Sequence, residues 1–465
     1  MKVLCIIGKS QQGYVRHIMM KMVDEMKNFG IETIISDETD ENGVVEQWQW
    51  KMSQRYDVVF TINAFMWDDK GRYTQLIDHN RPLYCTYLLG HPAQYLLSKH
   101  DIYTASLVLT TDQSYLEYID KYMPDVYAAF LPMAGDDTEN YVLYNERIYD
   151  IAYIGDYESP DKWQKKFETY SPADKEILNT VAKRMLECPG DIFEETVQQI
   201  LKEHNISTTV EQFEKITEKF QVAYSYVYNE YQKLVLHSIV DQEIPIHVFG
   251  AGWNDFEISE EKKKNLIIHP ISEFKEISNI LGNTKVFLNI MNRLEDISYG
   301  GVLSAMLSGA LCLTTQNHWM PDQFQEGQNL YFYSLKGLKF LPAKIKDILS
   351  DLHHSEEVAL NGRKLAINRH RWYHRIAELA DYWDQTIMLQ EEKNKLEEYY
   401  EEMVTPNLAL LQKTKKIIRY FHRQEYLYAV RQMNEFLESV EKLFIRCCKW
   451  EEILKKKIEI FDINE

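Results

Sequence analysis

Three apolar, β-branched runs constrain the fold of this chain more than any other feature. They are IHVFGAGW (246–253), VFLNIMN (286–292) and SYGGVLSAMLSGALCLTT (298–315). The first two open on residues that favour a buried strand and break at glycine or asparagine, which favour a loop; the third sets a glycine pair before a helical pattern and closes on the strand-like ALCLTT. Continuous apolar runs of this length suit parallel strands covered on both faces. The first half of the chain carries the same pattern in KVLCII (2–7), IETIIS (31–36), DVVFTIN (57–63), LYCTYLL (83–89) and SLVLTT (106–111). Strands that alternate with helical stretches imply parallel sheets with right-handed crossovers. In open α/β sheets of this kind, ligands bind beyond the strands' C-terminal ends. Gly300 and Gly301 stand just before a helical pattern of Val302, Leu303, Met306 and Leu307. Bare N–H groups at a helix start suit a phosphate, so this half reads as a nucleotide or nucleotide-sugar binder.

The 465 residues allow two to three domains at about 150 residues each. A first α/β domain spans 1–147. IYDIAYIGDY (148–157) opens a second, which spans 148–372. Between about 160 and 236 the chain is charged, helical in period and free of strand signals, which predicts a helical insertion or lid. The strands resume at IPIHVFG (244–250), LIIHP (266–270), KVFLNI (285–290) and ALCLTT (310–315). A crossover helix is expected at 373–389 and a helical extension at 390–465. In that extension Tyr426, Val430, Met433, Phe436, Leu437, Val440, Leu443 and Phe444 recur at steps of three and four. Such a stripe must be covered, by the core, by a protein partner or by a second copy in a homodimer. The acid-rich LQEEKNKLEEYYEEM (389–403) reads as a solvated helix.

A net charge of −19 repels phosphate backbones and argues against nucleic acid as a partner. The six cysteines form no CxxC pair. Cys5, Cys85 and Cys312 fall within strand-like runs and read as buried thiols, while the adjacent Cys447 and Cys448 read as free. That usage fits a reducing cytosol. No apolar run reaches transmembrane length or resembles a signal sequence.

GKSQQGY (8–14) lacks the Lys-Ser/Thr after its second glycine that a Walker loop needs, and no GxGxxG is present. A phosphate-loop ATPase and a standard NAD enzyme are therefore unsupported. The loop reads equally as a cleft lining or a plain strand–helix turn. In GHPAQYL (90–96), His91 follows a strand and is the candidate general base; the alternative is a histidine that packs or binds a carbonyl. His370 and His374 have metal-pair spacing, but Arg371, Trp372 and Arg375 beside them favour an amphipathic helix between domains. Asp68–Asp69 and Asp136–Asp137 read as exposed loop acids rather than a DxD metal motif.

IHVFGAGW, the stretch 265–292 and the stretch 301–334, in that order, resemble the donor domain of CgeB-like bacterial glycosyltransferases, a spore-maturation-protein-type family of the GT-B class. DVVFTINAF (57–65), LLGHPAQYL (88–96), YAAFLPMAGD (127–136) and YIGDYESP (153–160) resemble that family's first domain and interdomain crossing. The resemblance covers roughly residues 1–385. It implies a GT-B fold, two Rossmann-like domains facing a cleft, with the acceptor on the first domain and the donor on the second. It implies transfer of a sugar from a nucleotide diphosphate sugar, such as a UDP- or GDP-sugar, to a hydroxyl of a glycan or protein acceptor. Carried over, Gly155, Gly250, Gly252, Trp253, Asn289, Gly309 and the Gln316–Asn317 turn border the donor. Gly300, Gly301 and Ser304 would hold its diphosphate. No metal and no other cofactor is implied, because helix N-termini and cations neutralise the leaving group. One departure is Gly301, which stands where relatives commonly place an arginine; Arg293 is near enough in sequence to replace it. That departure motivates the alternative, a catalytically degenerate protein kept as a binding or scaffolding subunit.

Overall fold

The computed structural model describes residues 1–8, 13–37, 51, 54–64, 82–92, 95, 106–123, 126–138, 141–271, 276–290, 300–317 and 319–404. Arg293, Asp68, Asp69, the 426–444 stripe, Cys447 and Cys448 lie outside them.

The first sheet contains β1 (Lys2–Ile7), β2 (Glu32–Asp37), β3 (Val58–Ile62), β4 (Leu83–Leu88), β5 (Ser106–Thr110) and β6 (Tyr127–Phe130). Its order is β2-β1-β3-β4-β5-β6, and every pairing is parallel. All residues of β3, β4 and β5 are buried, as their unbroken apolar runs require. Helix α1 (Tyr14–Asn28) packs Ile18, Met19, Met22, Val23 and Met26 onto this sheet. Helix α2 (Tyr115–Tyr122) links β5 to β6.

The second sheet begins with β7 (Tyr149–Ile154). Four helices then intervene: α3 (Pro160–Phe167), α4 (Pro172–Glu187), α5 (Phe193–Glu203) and α6 (Val210–Val240). Their starts are encoded locally. Ser171 Oγ accepts the Asp174 N–H with Pro172 at the first helical position, and Thr209 and Gln212 form a capping box. The four helices enclose their own core, built from residues such as Phe167, Leu178, Val197 and Phe220. The chain then forms β8 (Ile246–Phe249), β9 (Leu266–His269), α7 (Glu276–Gly282), β10 (Thr284–Asn289), α8 (Gly300–Leu307), β11 (Leu311–Thr315), the short α9 (Met320–Gln323) and β12 (Tyr331–Tyr333). This sheet is also wholly parallel, in the order β12-β11-β10-β7-β8-β9. Renumbered from β7, that is the doubly wound order 3-2-1-4-5-6, while the first sheet follows the order 2-1-3-4-5 with one strand added. Strands β6 and β12 were not anticipated from the sequence; they have four and three residues and lie at sheet edges.

Helices α10 (Leu341–Ser350) and α11 (Leu352–Arg369) finish the second unit. The chain then returns to the first. Gly135 pairs with Arg371, and α12 (Trp372–Val404) buries Trp372, Ile376, Leu379 and Trp383 in the first sheet's core. Trp383 meets Phe60 edge-on at 5.7 Å between ring centroids. The acid-rich segment continues α12 without a break as far as Val404. The architecture is α/β, two parallel six-stranded sheets with helices, as the strand pattern and the family resemblance led us to expect. Among the described residues no helix is long and apolar enough to cross a membrane.

Candidate functional site

The two sheets aim their C-terminal strand ends at one cleft of about 680 Å³. In a doubly wound sheet the loops diverge where strand order reverses, and a crevice opens there. In the second sheet the reversal lies between β7 and β10, and Gly155 and Asn289, at or just beyond the ends of those strands, line the cleft. The opposite wall comes from α1 and from the segment after β6.

On α1, Tyr14, His17 and Lys21 recur at helical spacing and face the cleft, while the helix's apolar face lies on the sheet. His17 Nε2 lies 2.6 Å from Asp136 Oδ2. Trp372 Nε1 donates to the other carboxylate oxygen at 3.0 Å. The Asp136 N–H donates to Ser304 Oγ at 2.9 Å, and Ser304 Oγ donates to the Gly300 carbonyl at 2.8 Å. Asp136 thus joins α1, α8 and α12. Burial pushes its carboxyl up, but the hydrogen bond and charge of His17 and the Trp372 indole more than offset this and hold it below the ordinary carboxylate range. Glycine makes the junction sterically feasible: a Cβ on Gly135 would lie 2.5 Å from the Leu303 carbonyl carbon. The Gly135 N–H also donates to the His370 carbonyl at 2.9 Å.

On the second wall, α8 begins at Gly300 within the cleft. A Cβ there would press on the Ala134 carbonyl at 3.1 Å. The far end of α8 is capped by two guanidinium groups. Arg147 Nη2 donates to Ser308 O at 2.8 Å, and Arg363 Nε donates to Leu307 O at 2.9 Å. Cations at the negative end stabilise the helix dipole and leave its N-terminal N–H groups directed at the cleft. Asn289 donates from Nδ2 to Thr314 Oγ1 at 2.8 Å, and its carbonyl accepts from Tyr333 at 2.9 Å.

Of the residues singled out in the sequence, Gly155, Asn289, Gly300, Gly301 and Ser304 line the cleft together. Gly250, Gly252 and Trp253 stand behind that lining. Gly155 N donates to Phe249 O, Tyr157 N donates to Ala251 O, and Trp253 Nε1 donates to Gly155 O, each at 2.9 Å. They form a clamp that fixes the Gly155 turn. Gly252 adopts φ 79°, and a Cβ there would sit 2.0 Å from the Tyr157 carbonyl oxygen. Gly309, with φ 74°, follows α8 as its C-terminal turn, where a Cβ would meet Arg147. Asn317 is buried and accepts the N–H of Met320, the first residue of α9, at 2.9 Å.

His91 does not line the cleft. Its imidazole is buried, lies between Tyr115 and Tyr118 at 4.8 and 4.7 Å, and pairs with Glu194 at 2.9 Å. Asp136 is likewise not an exposed loop acid, because three hydrogen bonds hold it; Asp137 pairs with Arg371 at 3.1 Å. Sequence reasoning missed His17, Lys21 and Tyr228. The i, i+4 spacing of His17 and Lys21 beside the GKSQQG loop was the one available signal. Among the described residues no group of three or more His, Cys, Asp or Glu side chains clusters as a metal site.

Residues 232–381 match a family model described as glycosyl transferase-like. That stretch runs from the second half of α6 into α12 and contains Asn289, Gly300, Gly301, Ser304 and Asn317. No curated protein matches the chain. Among solved structures, HepE from Anabaena in complex with UDP and glucose is 10% identical, covering 83% of this chain and 99% of its own, with a TM-score of 0.47. Sucrose-phosphate synthase from Thermosynechococcus elongatus is 9% identical over 83% of this chain and 98% of its own, with a TM-score of 0.48. The T4 phage BGT in complex with its UDP-glucose substrate is 10% identical over 83% and 99%, with a TM-score of 0.46.

Proposed function

We propose that this chain is a metal-independent glycosyltransferase, CgeB-like in type, that moves a sugar from a nucleotide diphosphate sugar to a hydroxyl acceptor. The observation that carries the reading is the cleft itself. The strand-order reversal of the 3-2-1-4-5-6 sheet and the glycine start of α8 form one wall, and a His–Asp pair between α1 and the segment after β6 faces them. The match over residues 232–381 supports it and covers most of the second wall.

In this reading the diphosphate sits at the start of α8, against the N–H groups of Gly300 and Gly301, while the Ser304 hydroxyl, which donates to the Gly300 carbonyl and accepts the Asp136 N–H, ties that helix start to Asp136. The helix N-terminus and Lys21, the one ammonium among the described lining residues, offset the diphosphate's charge. Arg293 is the further cation proposed for the diphosphate. The acceptor, a surface glycan or protein hydroxyl, lies against α1. Its oxygen attacks the anomeric carbon, the bond from that carbon to the phosphate oxygen breaks, and the nucleoside diphosphate leaves with the electron pair. The His17–Asp136 pair takes the hydroxyl proton. That task was assigned to His91 on sequence grounds and moves to His17 because His17 stands in the cleft. Asp136, 2.6 Å from His17 Nε2, orients the imidazole.

Incubation with UDP-, GDP- and dTDP-sugars, followed by release of free nucleotide, tests the reading. Release from one donor, faster with added glycan acceptor, is expected. Gly301 in the arginine position favours a second reading, a binding subunit without turnover. Binding of a nucleotide with no release from any donor would select it.

A further inference from the structure

The helical insertion contributes a side chain, Tyr228, to the cleft lining. Helix α6 occupies the place of the crossover between β7 and β8, so it must run back from the strands' C-terminal ends to their N-terminal ends. Its last third packs on the sheet through Val235, Leu236, Ile239 and Val240. Its earlier part belongs to the insertion's own core through Phe213, Phe220, Ala223 and Val227. The residues between these regions overhang the strand ends, and Tyr228 there lines the cleft.

Tyr228 is held in place. Gln232, one turn later on the same face and fully buried, donates from Nε2 to Tyr153 Oη at 3.0 Å and to Asp156 O at 2.8 Å. Tyr153 Oη lies 3.3 Å from Tyr228 Oη. With Tyr153 accepting from Gln232 and donating to Tyr228, the Tyr228 O–H is left to donate into the cleft. Burial raises the Tyr228 phenol above its usual value, so it stays a donor at neutral pH. The absence of a side chain on Gly155 leaves room for this pair, since a Cβ would lie 2.7 Å from Tyr153 Oη. The insertion is also tied to the opposite unit, where Glu194 on α5 pairs with the buried His91 beyond β4.

We propose that Tyr228 is a specificity residue that donates a hydrogen bond to a hydroxyl of the bound donor, either of its ribose or of its transferred sugar. The proposal rests on the reading of the cleft as a donor site. The test is calorimetric titration of wild type, Tyr228→Phe and Tyr226→Phe with UDP, GDP, UDP-glucose and GDP-mannose. Tyr226 packs on Phe167 inside the insertion and serves as a control for the helix. Wild type is expected to bind at least one nucleotide. Tyr228→Phe should weaken binding about three- to ten-fold, as loss of one hydrogen bond does, with Tyr226→Phe within about two-fold of wild type. Equal weakening for the nucleotide and its sugar conjugate assigns the contact to the ribose. Weakening confined to the conjugate assigns it to the transferred sugar. Wild-type binding that Tyr228→Phe leaves unchanged overturns the proposal and leaves the donor site standing. Equal weakening by the two variants also overturns it, as a general effect of the helix. No wild-type binding to any of the four overturns both.

Discussion

Asp136 serves three partners with one side chain and its own N–H. That makes it the most demanding residue in the cleft. Asp136→Asn keeps the shape but removes the charge that orients His17. It is expected to lower turnover about 100-fold or more, with nucleotide affinity within about three-fold; His17→Gln should do the same. Donor-release kinetics beside nucleotide titration separate the two effects, and wild-type turnover in Asp136→Asn would remove the pair from the mechanism. His370 makes a different prediction. Its ring is buried and accepts from Arg375 Nη2 at 3.0 Å. Burial and the Arg375 charge depress its pKa to about 3, whereas an unfolded imidazole titrates near ~6.5. Between those values the unfolded chain binds the extra proton, so the stability is complete above about pH 6.5 and is lost as pH falls towards 3. The loss is at most about 1.4 kcal/mol per pH unit. His370→Gln keeps an acceptor for Arg375 and cannot titrate. Urea unfolding at pH 7.0 and 5.5 should show a pH dependence smaller by about 1 kcal/mol than wild type, and an unchanged difference would contradict the assignment. Neither histidine's role could be read from the sequence. His17 and Asp136 are 119 residues apart, and only the docking of α1 on the linker brings them together.

At the scale of elements, the buried strands were legible because central parallel strands need apolar side chains on both faces. Strands β6 and β12 were not, since three or four residues carry no period. The glycines of IHVFGAGW were noticed, but their work was not legible. They shape a turn that another turn must clasp, and only the fold supplies the second turn. Gly252→Ala forces a Cβ onto the Tyr157 carbonyl in a left-handed backbone. It should destabilise the protein by more than about 2 kcal/mol and weaken nucleotide binding by shifting Gly155. Gly190→Ala meets open space at an ordinary φ and should change stability by less than about 0.5 kcal/mol. Chemical denaturation of the two variants decides this, and equal effects would refute the clamp.

At the scale of the whole molecule, three connections set the walls of one cleft. The 133–138 segment joins the units through Asp136, α12 returns from the second unit into the first sheet's core, and α5 reaches across through Glu194 to His91. The sequence pattern anticipated the glycine-started helix and the family resemblance two facing α/β units, but neither showed which residue of the insertion lines the cleft, because nothing in a charged helical stretch shows where its overhang falls. The central claim is that a nucleotide diphosphate binds at the strand-order reversal of the second sheet. Hydrogen–deuterium exchange with and without saturating UDP or GDP tests it most directly. Protection is predicted at the Gly155 turn, at Asn289–Ile290 and at Gly300–Ser304. Protection instead around the separate cavity lined by Gln316, Phe340 and Lys344, or none with either nucleotide, would contradict it.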